Sequence, residues 1–170
     1  ITAGWAGMFQ SDDAGLSWRE SPLGAADRCR DVAFAPDFST SGRLYISTLA
    51  GGLLITTDGG ASATSPMLGA GGSYVAGVSV PPDNTDQVWA IINNVAWFSY
   101  DQGKHWVQIE TPYDGTFSVA ALEAFGTDDI WVSSWAQSTD PARQGIHAFS
   151  ADGGVSWQDL AVLEQVLPNA

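Results

Sequence analysis

Positive charge is what this chain has least of: six Lys and Arg stand against nineteen Asp and Glu, a net charge of −13. A protein that grips nucleic acid needs a basic footprint to neutralise phosphates, so that class of partner is excluded. An anionic membrane surface is excluded on the same ground. Cysteine is nearly absent too. The single Cys29 forms no intrachain disulfide and fits no metal-ligand spacing; a small residue buried where a strand begins is the simpler reading. No run of eighteen apolar residues occurs, so no membrane-spanning helix, and no membrane insertion, is expected. No window of helical periodicity is long enough to compete with β-structure. Nothing calls for a cofactor or a metal. The turn aspartates Asp83 and Asp86, or Asp128 and Asp129, are oxygen donors of the calcium kind, but solvated turns carry such pairs far more often.

What the chain does have is apolar and aromatic. Hydrophobic residues make up 45% and Trp occurs eight times, which argues for a packed protein and against disorder. At this length about two-thirds of the unfolded surface is buried on folding.

One short pattern recurs four times: Ser11-Asp12-Asp13-Ala14-Gly15-Leu16-Ser17-Trp18, Thr56 to Ala63, Ser99 to Trp106 and Ser150 to Trp157. It reads Ser/Thr-x-Asp-x-Gly-x-Ser/Thr-Trp, and its anchors Asp13, Asp58, Asp101 and Asp152 stand 45, 43 and 51 residues apart. A period of this size belongs to solenoids, propellers and arrays. The chemistry is that of a hairpin turn. The Asp side chain accepts from nearby backbone N–H groups as in an Asx-turn. Gly15, Gly60, Gly103 and Gly154 supply the positive φ of a tight turn. Trp18, Trp106 and Trp157 place a large ring on the returning strand, where it covers the junction between hairpins. Two copies are eroded: Ala63 stands in place of the Trp, and His105 in place of the hydroxyl.

Short apolar runs repeat around each box. Two precede it, as in Arg43 to Thr48 and Leu53 to Ile55, an earlier one is rich in Val, Ala and Phe, and a fourth follows the box. Four short strands per repeat with Gly, Pro and Asp turns predict an all-β chain, a β-propeller arc of about four four-stranded blades. The expected divisions of this single 1–170 region are an incomplete blade 1 at 1–24, blade 2 at 25–70, blade 3 at 71–112 and blade 4 at 113–170. The small residues Ala33, Ala35, Ala76, Gly77, Ala120 and Ala121 suit first strands crowded at the axis. Because the first repeat opens at its second strand, the ring is expected to be completed by the rest of a longer chain or by homo-oligomerisation.

The boxes resemble the Asp-box, or BNR, repeat of sialidases, xyloglucan-type glycoside hydrolases and sortilin-like receptors. That resemblance implies a location outside the cell or at its surface. It also implies that the boxes occupy one face while ligand binds on the opposite one. The ligand-binding candidates on that opposite face are Trp5, Asn93, Asn94, Tyr113, Trp135 and Arg143. The loop from Trp135 to Gly145 accounts for the longest spacing. Three function classes follow: a non-enzymatic recognition or scaffold propeller for a protein or glycan ligand, a glycoside hydrolase arc, and an intracellular assembly factor similar to the photosystem-assembly propellers. The hydrolase needs two carboxylates across a cleft, for which the face offers Asp27, Asp114 and Asp140. A sialidase is the weaker variant, since that family's N-terminal arginine motif is missing. The assembly propellers rely on a basic patch that this composition lacks. Recognition is the expected role.

Overall fold

The computed structural model describes residues 2–4, 7–23, 28–65, 73–111, 118–135 and 147–159, with side chains described except at 2–4, 118 and 135. Four antiparallel sheets follow one another along the chain. Sheet 1 holds β1 (Thr2–Gly4), β2 (Gly7–Gln10) and β3 (Arg19–Glu20). Sheet 2 holds β4 (Cys29–Phe34), β5 (Leu44–Thr48) and β6 (Leu53–Thr56). Sheet 3 holds β7 (Val75–Ser79), β8 (Val88–Ile92), β9 (Val95–Ser99) and β10 (Val107–Gln108). Sheet 4 holds β11 (Ser118–Ala124), β12 (Ile130–Trp135), β13 (His147–Ser150) and β14 (Gln158–Asp159). Every sheet is a meander, with each strand hydrogen-bonded to its sequence neighbour.

Two local differences from expectation stand out. The loop after β4 contains one helical turn, α1 (Phe38–Ser41), closed by Gly42 at φ 63°. The fourth position of sheet 2 is a single bridge, in which Ile55 and Thr64 exchange two 2.8 Å backbone bonds. This is the sheet whose box carries Ala63 in place of Trp.

The middle strands explain how the sheets assemble. β5 and β8 are buried at every position, so they read as continuous apolar runs because both their faces are covered. The cores accordingly lie between sheets. Met8 of sheet 1 meets Cys29, Leu44 and Ile46 of sheet 2. Tyr45 and Leu53 of sheet 2 meet Val75, Val78, Val88, Ala90 and Ile92 of sheet 3. Trp89, Ile91 and Ala96 of sheet 3 meet Val119, Leu122, Ile130, Val132 and Ala148 of sheet 4. Each large side chain fully buried there contributes about 1.5–3 kcal/mol. The first strands β4, β7 and β11 lie side by side, and each is bulged at the same place, at Arg30, Ala76 and Ala120. β1 neighbours β4 as β5 neighbours β7 and β8 neighbours β11, so β1 holds a second-strand position. Successive meanders stacked face to face around their first strands form an arc of a β-propeller.

The four box turns share one hydrogen-bond network. The opening hydroxyl of Ser11, Thr56, Ser99 or Ser150 donates to the aspartate Oδ1 at 2.7–2.9 Å. It accepts from the glycine N–H two residues past that aspartate at 2.7–3.1 Å. Oδ1 also accepts from the backbone N–H four residues on, at Ser17, Ser62, His105 and Ser156. Oδ2 pairs with the side chain of that same residue, which is the His105 ring Nδ1 in the third box. In three boxes the residue after the aspartate ties the turn to its own sheet: Gly59, Gln102 and Gly153 donate to the carbonyls of Gly42, Asp86 and Asp128.

The second glycine of a box also backs onto the preceding sheet. A Cβ on Gly60 would lie 3.4 Å from Met8 Cε, and one on Gly154 only 3.0 Å from the Trp89 ring. Gly59, at φ +72°, has open space around it. Gly59→Ala is therefore expected to cost about 1–2 kcal/mol, the left-handed penalty alone. Gly154→Ala, at φ +85°, is expected to cost about 1–3 kcal/mol more, from overpacking against a rigid indole. Urea unfolding of the two variants checks this, and equal losses would contradict the close approach.

The hydroxyls of Ser17 and Ser156, followed by backbone N–H groups, hold Asp13 and Asp152 at about 2 against an ordinary 3.8. At Asp101 desolvation pushes upward, but His105 and Ser99 outweigh it and leave that carboxyl at about 2. Asp58 is lowered further, chiefly by Ser62. Carboxyls depressed on folding contribute stability that is complete above 3.8 and is lost as pH falls toward about 2. The thermal midpoint is expected to be flat down to about pH 5 and to fall steeply below it. Asp152→Asn is expected to lower the midpoint at neutral pH and to flatten that acid limb. An unchanged slope would remove the box carboxylates as its source.

Candidate functional site

The box turns lie at the ends of β2, β6, β9 and β13, and their carboxylates are engaged in closing the turns. The opposite ends of the sheets are built differently. Between β8 and β9 the chain reverses in two residues, Asn93 at φ 50° and Asn94 at φ 65°, with Ile92 and Val95 paired across the turn. Asn is favoured there because a two-residue hairpin of this type needs positive φ at both positions. Asn93 then reaches sideways. Its N–H donates to the Tyr74 carbonyl at 2.9 Å, and its Oδ1 accepts the Tyr74 N–H at 3.2 Å. The Asn94 carbonyl accepts from Val119 N–H of sheet 4 at 3.1 Å.

Tyr74, fixed in this way just before β7, meets Arg30 of sheet 2. The Arg30 guanidinium lies 5.2 Å from the centre of the Tyr74 ring, and its Nη1 donates to Tyr74 Oη at 2.5 Å. The bulge in β4 positions this contact. Of the three equivalent bulge residues only Arg30 has a long side chain, Ala76 and Ala120 being small. Arg30 is exposed, and a guanidinium carries five N–H donors of which this bond uses one. The result is a cation hydrogen-bonded to the tyrosine hydroxyl and close to its ring, joining sheet 2 to sheet 3, on backbone of sheet 3 that is itself hydrogen-bonded to sheet 4. Such a group suits a carboxylate or the carbonyls of an extended chain.

A second electrostatic feature lies along the first strands. The Asp31 side chain accepts the Val78 N–H of the next sheet at 3.3 Å, and Ser79 Oγ accepts the Ala124 N–H at 3.0 Å. These bonds tie neighbouring first strands together where no ladder joins them. On β11, partial desolvation, then the charge of Asp31, pushes the Glu123 carboxyl up, against a hydrogen bond from Ser79. Among the described residues no group of three or more His, Cys, Asp or Glu is placed to hold a metal ion.

Of the residues expected at the site, Asn93 and Asn94 are on this face, with Asn93 engaged in holding Tyr74. Trp5, Asp27, Tyr113, Asp114, Asp140 and Arg143 lie outside the described residues, and Trp135 is described only as the last residue of β12. Arg30, Tyr74 and Glu123 are not singled out by sequence reasoning. The one available signal for Arg30 was its rarity, as one of six basic residues in an acidic chain.

No protein-family model and no curated protein matches the chain. Solved structures do. An ancestral GH74 enzyme superposes with a TM-score of 0.75 at 15% identity, over 93% of this chain and 23% of that one. The GH74 xyloglucanase from Xanthomonas campestris gives 0.66 at 17%, over 92% and 27%. YCF48 bound to D1 peptide gives 0.57 at 18%, over 78% and 40%. The chain thus spans well under half the length of each structure, and at these identities the likeness establishes the β-propeller fold alone.

Proposed function

We propose that this chain is an arc of an Asp-box propeller that recognises an extended peptide segment of a protein partner, outside the cell or at its surface. Binding is by the face opposite the boxes. The observation that carries this reading is the Arg30–Tyr74 pair, a fixed cation–aromatic platform on a molecule of net charge −13. A guanidinium attracts a carboxylate or the carbonyl row of a peptide, and Tyr74 offers a flat, rigid contact of low conformational cost. That YCF48, a structure of similar fold, is bound to a peptide supports the reading.

A second reading, the arc of a glycoside hydrolase, is favoured by the upward shift of Glu123 beside the negative Asp31. The GH74 enzymes share the fold. The face carboxylates Asp27, Asp114 and Asp140 are the other candidates for the carboxylate pair; Glu123 itself stands in register with Trp131 and Phe149, in the row next to the fourth box. A glycan ligand without hydrolysis is the intermediate case.

Calorimetric titration with peptides ending in a free carboxylate, beside xyloglucan oligosaccharides, separates these outcomes. Peptide binding is expected, and Arg30→Gln is expected to weaken it about tenfold or more, the loss of a charge-assisted hydrogen bond. Release of shortened sugars by the wild-type chain, abolished by Glu123→Gln and untouched by Arg30→Gln, would sink the recognition reading.

A further inference from the structure

Which groups donate and which accept at the Arg30–Tyr74 pair is fixed by their chemistry. A guanidinium has N–H donors and no acceptor, so Tyr74 Oη is the acceptor in their 2.5 Å contact. The hydroxyl proton of Tyr74 is therefore not used on Arg30, and among the described residues no other hydrogen bond takes it. A hydroxyl that accepts from a cation donates more strongly in turn. The remaining guanidinium N–H groups stand beside it, on an exposed side chain.

The carboxylate next in sequence does not neutralise this cation. Asp31 Oδ1 accepts the Val32 N–H at 2.8 Å, and its Oδ2 accepts the Val78 N–H at 3.3 Å. It is committed to the junction between the first strands of sheets 2 and 3. Arg19 and Arg43, by contrast, have carboxylate partners of their own, Asp12 at 3.0 Å and Asp37 at 3.3 Å. Among the described residues no carboxylate pairs with Arg30. The half-buried Tyr74 is held from behind, since Asn93 bonds both its N–H and its carbonyl. The pair thus presents a fixed excess of donors.

We propose that the Arg30–Tyr74 pair is a carboxylate seat, in which guanidinium N–H groups and the Tyr74 O–H donate to one anionic group of the ligand. This rests on the recognition reading above and narrows it. The anchor of the bound peptide is a carboxylate, at the chain end or on an Asp or Glu side chain, and not its row of main-chain carbonyls. A main-chain amide brings a donor with every acceptor, and the Tyr74 oxygen already accepts from Arg30. A carboxylate brings acceptors alone, in a planar fork that matches a guanidinium. A phosphate monoester, with close to two charges, calls for a cluster of arginines rather than one.

Nuclear magnetic resonance of the full-length protein, labelled with ¹⁵N at arginine and held at about pH 6 where carboxylates are ionised, tests this. The Arg30 Nε–H signal is the one missing from Arg30→Gln. Three probes are titrated: N-acetylalanine with only a terminal carboxylate, N-acetylglutamic acid α-amide with only a side-chain carboxylate, and N-acetylalaninamide with neither. Saturable movement of the Arg30 signal with at least one acid, and none with the amide, is expected. The tighter acid identifies the source of the carboxylate. Tyr74→Phe keeps the ring and is expected to weaken that acid about tenfold, the loss of a hydrogen bond to a charged group. An equal response to the amide, or an affinity unmoved by Tyr74→Phe, would overturn the proposal. So would peptides that bind in calorimetry while neither acid moves Arg30, which leaves recognition standing without this anchor. Binding in neither experiment would sink both.

Discussion

Everything in this molecule depends on sheets being buried on both faces by their neighbours. A meander of four short strands with Leu, Tyr and Ile on one middle strand, or Val, Trp, Ala and Ile on another, has no polar face to turn to water. Alone it would expose the very residues that form the cores, so its stability is largely that of its junctions, as in other stacked repeats. The box turn sets the distance across each junction. A side chain at its second glycine would push the sheets apart, since the previous sheet lies within van der Waals reach at Gly60, Gly103 and Gly154. The aspartate network stiffens that turn with little help from burial, because its polar groups satisfy one another within eight residues. One motif thus closes a hairpin and sets the spacing of the stack.

This division of labour leaves the two ends of the sheets with different freedom. At the box end the carboxylates, hydroxyls and glycines are used up in turn closure. At the other end only the reversal of the chain is required, which two left-handed asparagines accomplish between β8 and β9. Side chains there are available for other tasks, and the bulges of the first strands set where they emerge. Arg30 uses its bulge to reach across to the next sheet, whereas Ala76 and Ala120 do not. A platform shared by two sheets inherits the rigidity of the junction below it, which serves recognition better than a loop tip does.

The strands and the boxes were legible in the sequence because both are local. Alternation, turn residues and a repeating octapeptide are read within ten residues, and the second and third strands lie where the apolar runs place them. What was not legible depends on neighbours. Asn93-Asn94 between two apolar runs is expected in the loop joining the second to the third strand, but that both adopt positive φ and that Asn93 holds Tyr74 is visible only in the pairing. Arg30 and Tyr74 stand forty-four residues apart in sequence. They meet because one strand is bulged and two sheets stack, and no spacing rule contains either fact. The helical turn α1 is hidden for a similar reason. Pro36 to Gly42 carries loop chemistry, and the turn is closed by Gly42, whose carbonyl accepts from the second box.

The two eroded boxes show which part of the motif does what. The third has His105 for the hydroxyl, yet the ring Nδ1 reaches Asp101 Oδ2 and the rest of the network is intact. Any short-range donor therefore serves at that position. The second has Ala63 for the tryptophan and keeps every aspartate contact, through Ala61, Ser62 and Thr56. Its outer strand, however, shrinks to one bridge, while β3, β10 and β14 follow a tryptophan in the other three sheets. The carboxylate therefore holds the turn and the indole holds the strand that leaves it. Because these tasks are separable, a blade can lose its outer strand without losing the close contact on which the stack depends, and Gly60 still lies against Met8.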